Sequence, residues 1–248
     1  MDTPAGPLSW QVARVVDSRR ETPSAKTLLL EVPGWGGHTA GQHIDLKLTA
    51  EDGYSAQRSY SLGNPPDGDR IELTVQQIPG GEVSPYLNDV AVGDEIEIRG
   101  PIGGWFVWRP GQDVQVLLVG GGAGIVPLMA MLRHRVTAGT ESFQLVYSVR
   151  TPDDVYYAAE LDRLQRECEW LRVVRIYTRR TASTTLRQTG RIRSGDLSTI
   201  PAGVRSYVCG PTGFVETVSA ILIERGHPAA TIRTERFGPG DGSRNEDR

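Results

Sequence analysis

Residues 116–132 read VLLVGGGAGIVPLMAML, seventeen positions without one charge, and what this run becomes decides the fold. A membrane helix needs roughly 20 consecutive apolar residues. This run is shorter, and it carries four glycines and a proline, both poor residues for a helix interior. The alternative is a buried strand, a glycine turn, and a helix beginning near Pro127. The flanks favour that alternative. The run supplies a strand at 114–119 and a helix at about 125–137. Strands are then predicted at 143–149, 171–177, 205–209 and 231–235, with helices at about 154–167 and 212–224. Strands alternating with helices call for a parallel sheet covered on both faces.

Upstream the pattern changes. RIELTVQ (70–76) and DEIEIRG (94–100) alternate with period two, and Gly/Pro clusters separate the segments at GNPPDGD, PGG, VGD and GPIGG. Short strands at this spacing suggest a small antiparallel barrel. One short helix is predicted at 84–89, with Ser84 as N-cap and Pro85 at the first helical position. The expected division is a β-barrel over 1–110, an α/β domain over 111–238, and a polar, Gly-rich, disordered tail over 239–248.

Composition narrows the function. A chain of 248 residues is long for one core. A net charge of -3 with interspersed signs argues against a nucleic-acid footprint. The start, MDTPAGPLSW, has no apolar stretch, so no secretory signal is expected and the cytoplasm is the default location. Cys168 and Cys209 are the two cysteines and form no C-x-x-C pair. That excludes a zinc ribbon, a disulfide framework and an iron–sulfur cluster held by four cysteines. Of the 27 basic residues only Lys26 and Lys47 are lysine. In so Arg-rich a chain an arginine counts toward a site only where its neighbours also point there.

A strand, a glycine turn and a helix place free N–H groups and a positive dipole end at the sheet's C-terminal edge, a geometry that holds phosphate. No lysine follows for a Walker loop, and Ile125 stands where the dinucleotide fingerprint needs its third glycine. What remains, G-x-G-x-G-I-x-P over 120–127, also fits a strand end closely packed by a helix. Four further stretches bear on the choice: RSYS (58–61), GPIGGWF (100–106), VCGPTGF (208–214) and TERFG (234–238).

In this order and spacing the five stretches closely resemble the ferredoxin–NADP reductase family over roughly 9–238. RSYSLGNPP (58–66) is particularly similar to stand-alone bacterial reductases of the oxygenase-reductase branch. The resemblance implies an antiparallel flavin-binding β-barrel followed by a doubly wound, parallel-sheet nucleotide-binding domain. It implies that Arg58 pairs with a flavin phosphate, where its planar fork can bind two oxygens. Tyr60 would lie against the isoalloxazine ring, with Ser61 near the flavin N5 and Leu62 beside it. Gly80, Gly81, Val83 and Ser84 would cradle the phosphate.

On the nucleotide side, Gly122, Gly124 and Pro127 would accept the pyrophosphate. Cys209 would sit near the nicotinamide C4, the alternative being a small buried cysteine, and Gly210, Pro211 and Gly213 would form the turn beside it. Glu235 and Phe237 match the family's closing acid and flavin-covering aromatic, although eleven residues follow Phe237 here. Trp105 stands where the family often has Phe or Tyr. The catalytic groups implied are Ser61, Cys209 and Glu235. Ser148, Arg150, Thr178 and Arg179 would face the adenosine 2′-phosphate. One charged hydrogen bond there, contributing about 1.5–3 kcal/mol, would favour NADPH, and NADH stays open. FAD is the expected flavin, with FMN open.

The implied activity is hydride transfer from the nicotinamide to the flavin, then release of single electrons to a separate acceptor protein, a ferredoxin or an oxygenase component. The alternatives are a free-flavin reductase and a non-catalytic flavin-binding subunit. Neither nucleic acid nor membrane is an expected partner, no metal site is expected, and the chain is expected to be a monomer.

Overall fold

The computed structural model describes residues 8–50, 52–180, 188–197 and 199–238; the tail expected to be disordered, 239–248, lies outside them. Six antiparallel strands, β1 (Gln11–Thr22), β2 (Ala25–Glu31), β3 (His43–Thr49), β4 (Ser55–Ser61), β5 (Arg70–Gln76) and β6 (Glu95–Ile102), form one sheet in the order β4-β3-β6-β1-β2-β5. Its two edges meet where Leu62 bridges Leu73 and the Gly63 N–H donates to the Glu72 carbonyl at 2.8 Å. That contact closes the sheet into a barrel. Its core includes Leu28, Leu30, Ile44, Leu46, Ile71, Leu73 and Ile98, all fully buried, each contributing about 1.5–3 kcal/mol of transfer free energy. On β5 the outward residues Glu72 and Thr74 are buried as well. The α/β half covers that face, so alternation there does not mean alternation of exposure.

The second sheet is parallel, in the order β11-β10-β7-β8-β9, from β7 (Gln115–Gly121), β8 (Ser142–Val149), β9 (Leu171–Tyr177), β10 (Arg205–Pro211) and β11 (Ile232–Phe237). Successive side chains of β7 go to opposite faces: Val116 and Leu118 join one apolar cluster, Leu117 and Val119 the other. Helix α2 (Ile125–Ala138) covers the first face and α4 (Thr212–Glu224) the second. A strand buried on both sides has no place for a charge. This explains the opening run, and no helix among the described residues is long and apolar enough to cross a membrane. The strand order steps from β7 out to β9 and then returns to β10 on the other side. Ligands of open α/β sheets bind in the crevice at such a reversal.

Two local expectations need correction. Helix α3 runs Ala158–Glu167 and does not begin near 154. A 3₁₀ turn over Pro152–Asp154 closes on its own Thr151–Asp154 capping box, and Tyr157 takes a left-handed φ of 55° that a helix cannot continue through. The short helix α1 spans Ser84–Asp89 with Pro85 in its first turn, but Val83 holds the N-cap position. The Ser84 hydroxyl instead accepts the Ile78 N–H at 3.0 Å, tying the preceding loop.

Candidate functional site

Two cavities lie back to back across the glycine turn. The first is walled by Arg58, Tyr60 and Ser61 of β4, Thr74 and Gln76 of β5, Gly81, Val83 and Ser84 at the start of α1, Ala123 and Val126, and Phe237 at the end of β11. The second opens at the sheet reversal, lined by Gly121, Gly122, Ser148, Arg150, Thr178, Pro211 and Phe214, with Ser24 and Gln76 from the barrel. Gln76 lines both. Residues drawn from nine places in the sequence thus converge on one region.

The contact between the two halves of the site is polar. The Ser61 hydroxyl donates to Glu235 Oε1 at 3.0 Å across 174 positions of chain. Burial pushes the Glu235 carboxyl up to about 7, although the Ser61 hydrogen bond acts the other way. Glu235 is paired in register with Cys209, and Cys209 with Gly120. The Cys209 side chain is buried in the apolar cluster under α2 and lines neither cavity. Burial first, and Glu235 second, raise its thiol well above the ordinary value, so it is a poor thiolate source.

The glycines divide by what faces them. A Cβ on Gly124 would run into the Cys209 carbonyl oxygen, and one on Gly121 or Gly210 would meet the Phe214 ring at 2.8 or 2.7 Å. Gly121 and Gly210 let α4 approach β7 and β10, and Gly124 lets the start of α2 approach β10. Gly122 differs: its φ is +56° and no atom lies within 4 Å of where its Cβ would be. It presents bare backbone to the cleft, which is what a pyrophosphate requires. Pro127 is buried in α2 and lines neither cavity, and Gly213 sits in the first turn of α4, away from both. The packing reading of the motif therefore holds for Gly121, Gly124 and Gly210, and the open-backbone reading for Gly122.

Arg58 stands in the first cavity with its guanidinium on the Gln57 carbonyl (2.7 Å) and Glu82 (3.1 Å). The Tyr54 hydroxyl also donates to Glu82. Pairs this exposed contribute about 0–1 kcal/mol, so a phosphate can displace Glu82 at little cost. Leu62 turns into the barrel core and its N–H is committed to the Gln42 carbonyl, so it does not reach the cavity. Gly80 forms the left-handed turn (φ 75°) behind the lining residues. Phe237 is at the cavity mouth, partly exposed. Trp105 is exposed, with the Arg233 guanidinium 5.4 Å from its ring centre.

At the far end of the cleft, Arg150 pairs with Asp154 at 2.8 Å and Arg180 pairs with Asp153. The Arg179 N–H donates to the Arg150 carbonyl. Of the two arginines expected there, Arg150 is thus paired with a carboxylate. Sequence reasoning missed Gln76, Thr74, Ser24, Asp154, Tyr156 and Phe214. Only Asp154 carried a signal, the T-x-x-D spacing of a cap; the others are ordinary strand, helix or turn residues until the two halves meet.

Two family models match the chain: an oxidoreductase FAD-binding domain over residues 13–107 and an oxidoreductase NAD-binding domain over 118–220. The chain is 30% identical to a flavohemoprotein of Deinococcus radiodurans, covering 95% of this chain and 61% of that protein. It is 29% identical to the ferredoxin–NAD(P)+ reductase component of a naphthalene 1,2-dioxygenase system of Pseudomonas putida, covering 81% and 60%. Among solved structures, the Amycolatopsis cytochrome P450 reductase GcoB superposes with a TM-score of 0.82 at 26% identity, covering 95% of this chain and 72% of that one. The chain spans about 60% of the length of the curated relatives it matches.

Proposed function

Because the chain belongs to the ferredoxin–NADP reductase family of oxidoreductases, with an FAD-binding and an NAD-binding domain, we propose that it is an NAD(P)H-dependent flavoprotein reductase serving a separate acceptor protein. The units are the barrel, 1–110, and the α/β domain, 111–238. A ferredoxin or an oxygenase component is the acceptor class that the named reductase components support. One observation carries the reading: Ser61 of the barrel meets Glu235 of the α/β sheet, beside a cavity and a cleft that share Gln76.

The residues present fit the two groups. Arg58 and the segment Gly81–Ser84 would hold a flavin phosphate, with Tyr60 and Phe237 giving apolar faces to its ring. Gly122 and Pro211 would receive the nucleotide backbone. A flavin held there would supply the two-electron to one-electron exchange that hydride donation to a single-electron acceptor needs. The chain's own contribution is orientation and a proton store. Glu235, its carboxyl pushed up to about 7 by burial, would take up a proton near neutrality beside the Ser61 hydroxyl that donates to its Oε1. Near Arg150, Thr178 and Arg179 either nucleotide can be accommodated, and the paired carboxylates weaken the advantage expected for NADPH.

Anaerobic titration of the flavin-loaded protein with NADPH and with NADH tests this. Bleaching of the flavin band by about one equivalent of either nucleotide is expected, followed by reduction of a ferredoxin or cytochrome. A yellow protein that neither nucleotide bleaches would end the proposal. Flavin lost on gel filtration would favour a free-flavin reductase instead.

A further inference from the structure

The segment between β8 and α3 faces two ways. Asp154 and Tyr156 line the nucleotide cleft. Tyr157 turns toward the barrel, buried, with the only positive φ of any non-glycine residue among those described. Left-handed backbone costs a tyrosine about 1–2 kcal/mol, so surrounding contacts must hold it. Its N–H donates to Glu21 Oε2 at 2.9 Å and its hydroxyl bonds to Thr74 Oγ1. The Arg133 guanidinium lies 5.0 Å from its ring centre. Arg133 in turn holds Glu160 of α3 with two bonds (2.9 and 2.6 Å) and reaches the barrel at Glu72 (2.6 Å) and the Gly63 carbonyl (2.7 Å).

The direction of the hydroxyl chain follows from its end. Thr27 donates to Glu21 Oε1 at 2.7 Å, so its oxygen accepts from Thr74, 2.7 Å away. The Thr74 proton is then used, and Thr74 accepts from Tyr157. The circuit runs from the Tyr157 hydroxyl through Thr74 and Thr27 to Glu21, and Glu21 returns to the Tyr157 N–H. It ties the residue that follows Tyr156 of the cleft wall to β1, β2 and β5 of the barrel, and Thr74 is itself a wall of the flavin cavity.

We propose that Tyr157 is a positioning residue that sets the spacing between the nucleotide cleft and the flavin cavity, and so the rate of hydride transfer. The inference rests on the function proposed above. Hydride transfer needs its atoms about 3–3.5 Å apart, and a displacement of about 1 Å can cost a hundredfold. The hydride carries its electron pair from the reduced nicotinamide, which is oxidised, to the flavin, which is reduced. Tyr157 exchanges neither proton nor electron.

The test is anaerobic stopped-flow bleaching of the flavin-loaded full chain over a range of NADH and NADPH concentrations. Wild type, Tyr157→Phe, Thr74→Val and the double variant are compared. Tyr157→Phe keeps the ring over Arg133 and deletes one hydrogen bond. Its saturating rate is expected to fall about ten- to a hundredfold, with flavin content and half-saturating nucleotide unchanged. The double variant should be no slower than the slower single one, because both changes cut the same bond. A folded, flavin-loaded Tyr157→Phe with the wild-type rate overturns the proposal. If that variant loses its flavin, Thr74→Val decides, and a wild-type rate there overturns it equally. A wild-type protein that is not bleached overturns the proposed function itself, and this inference with it.

Discussion

The two cavities are built from different materials. The cavity proposed for the flavin is lined by side chains that include an arginine, three serines, a tyrosine and a phenylalanine, held by strand ends and one helix start. The cleft proposed for the nucleotide includes bare main chain at Gly121 and Gly122, where the parallel sheet reverses. A side-chain site can be altered residue by residue and fails in its ligand. A backbone site depends on the close approach of elements and fails in its fold. Substitutions can separate the two.

The largest effect is expected at Gly124. In Gly124→Ala the new methyl runs into the Cys209 carbonyl, and urea unfolding should show a loss of about 3 kcal/mol, the upper end for overpacking. Gly122→Ala, with open space around its Cβ but a left-handed φ, should lose only about 1–2 kcal/mol while weakening nucleotide binding more. Equal stability losses at the two positions would erase the distinction between packing glycine and binding glycine.

Next comes Arg58→Met on the side-chain side. Flavin affinity should drop about ten- to a hundredfold, the value of one or more charged hydrogen bonds, with stability of the flavin-free chain little changed because the Glu82 pair is exposed. Fluorescence of released flavin on dilution measures it. An unchanged affinity would remove Arg58 from the cavity's chemistry.

A smaller effect, visible in pH, belongs to the junction. Glu235 titrates near 7 in the folded chain against 4.5 ordinarily. A folded value above the unfolded one means its contribution is complete below about 4.5 and is lost as pH rises through 7. The melting temperature of wild type should therefore fall relative to Glu235→Gln between pH 5 and 8. Parallel curves would place the carboxyl in water. The smallest effect is expected from Asp154→Asn, which keeps the Thr151 cap oxygen but releases Arg150. The NADPH-to-NADH ratio of kcat/KM should rise about fivefold, the scale of one exposed ion pair; no change would take Arg150 away from the nucleotide's adenosine end.

The same contrast accounts for what could be read in advance. Strands β9 and β10 and helix α4 were legible because hydrophobic period and turn residues are local properties. Arg58, Tyr60 and Ser61 were named through the family resemblance of RSYS, and the structure lines one cavity with all three. The glycine turn was legible as a turn, but not which glycine served what, since Gly122 and Gly124 differ only in what faces them. Leu62 was misplaced for a related reason: strand alternation is local, but which face meets the core is settled when β4 closes on β5.

Chain order alone thus determined a β-rich half and an alternating α/β half. Those features depend on propensity and periodicity within a few residues. Tertiary structure decided the meeting of Ser61 with Glu235, the sharing of Gln76 between two cavities, and the left-handed Tyr157 held by Thr74, Glu21 and Arg133. Each joins residues far apart in the chain, and no local rule fixes a contact whose partner is supplied by another element.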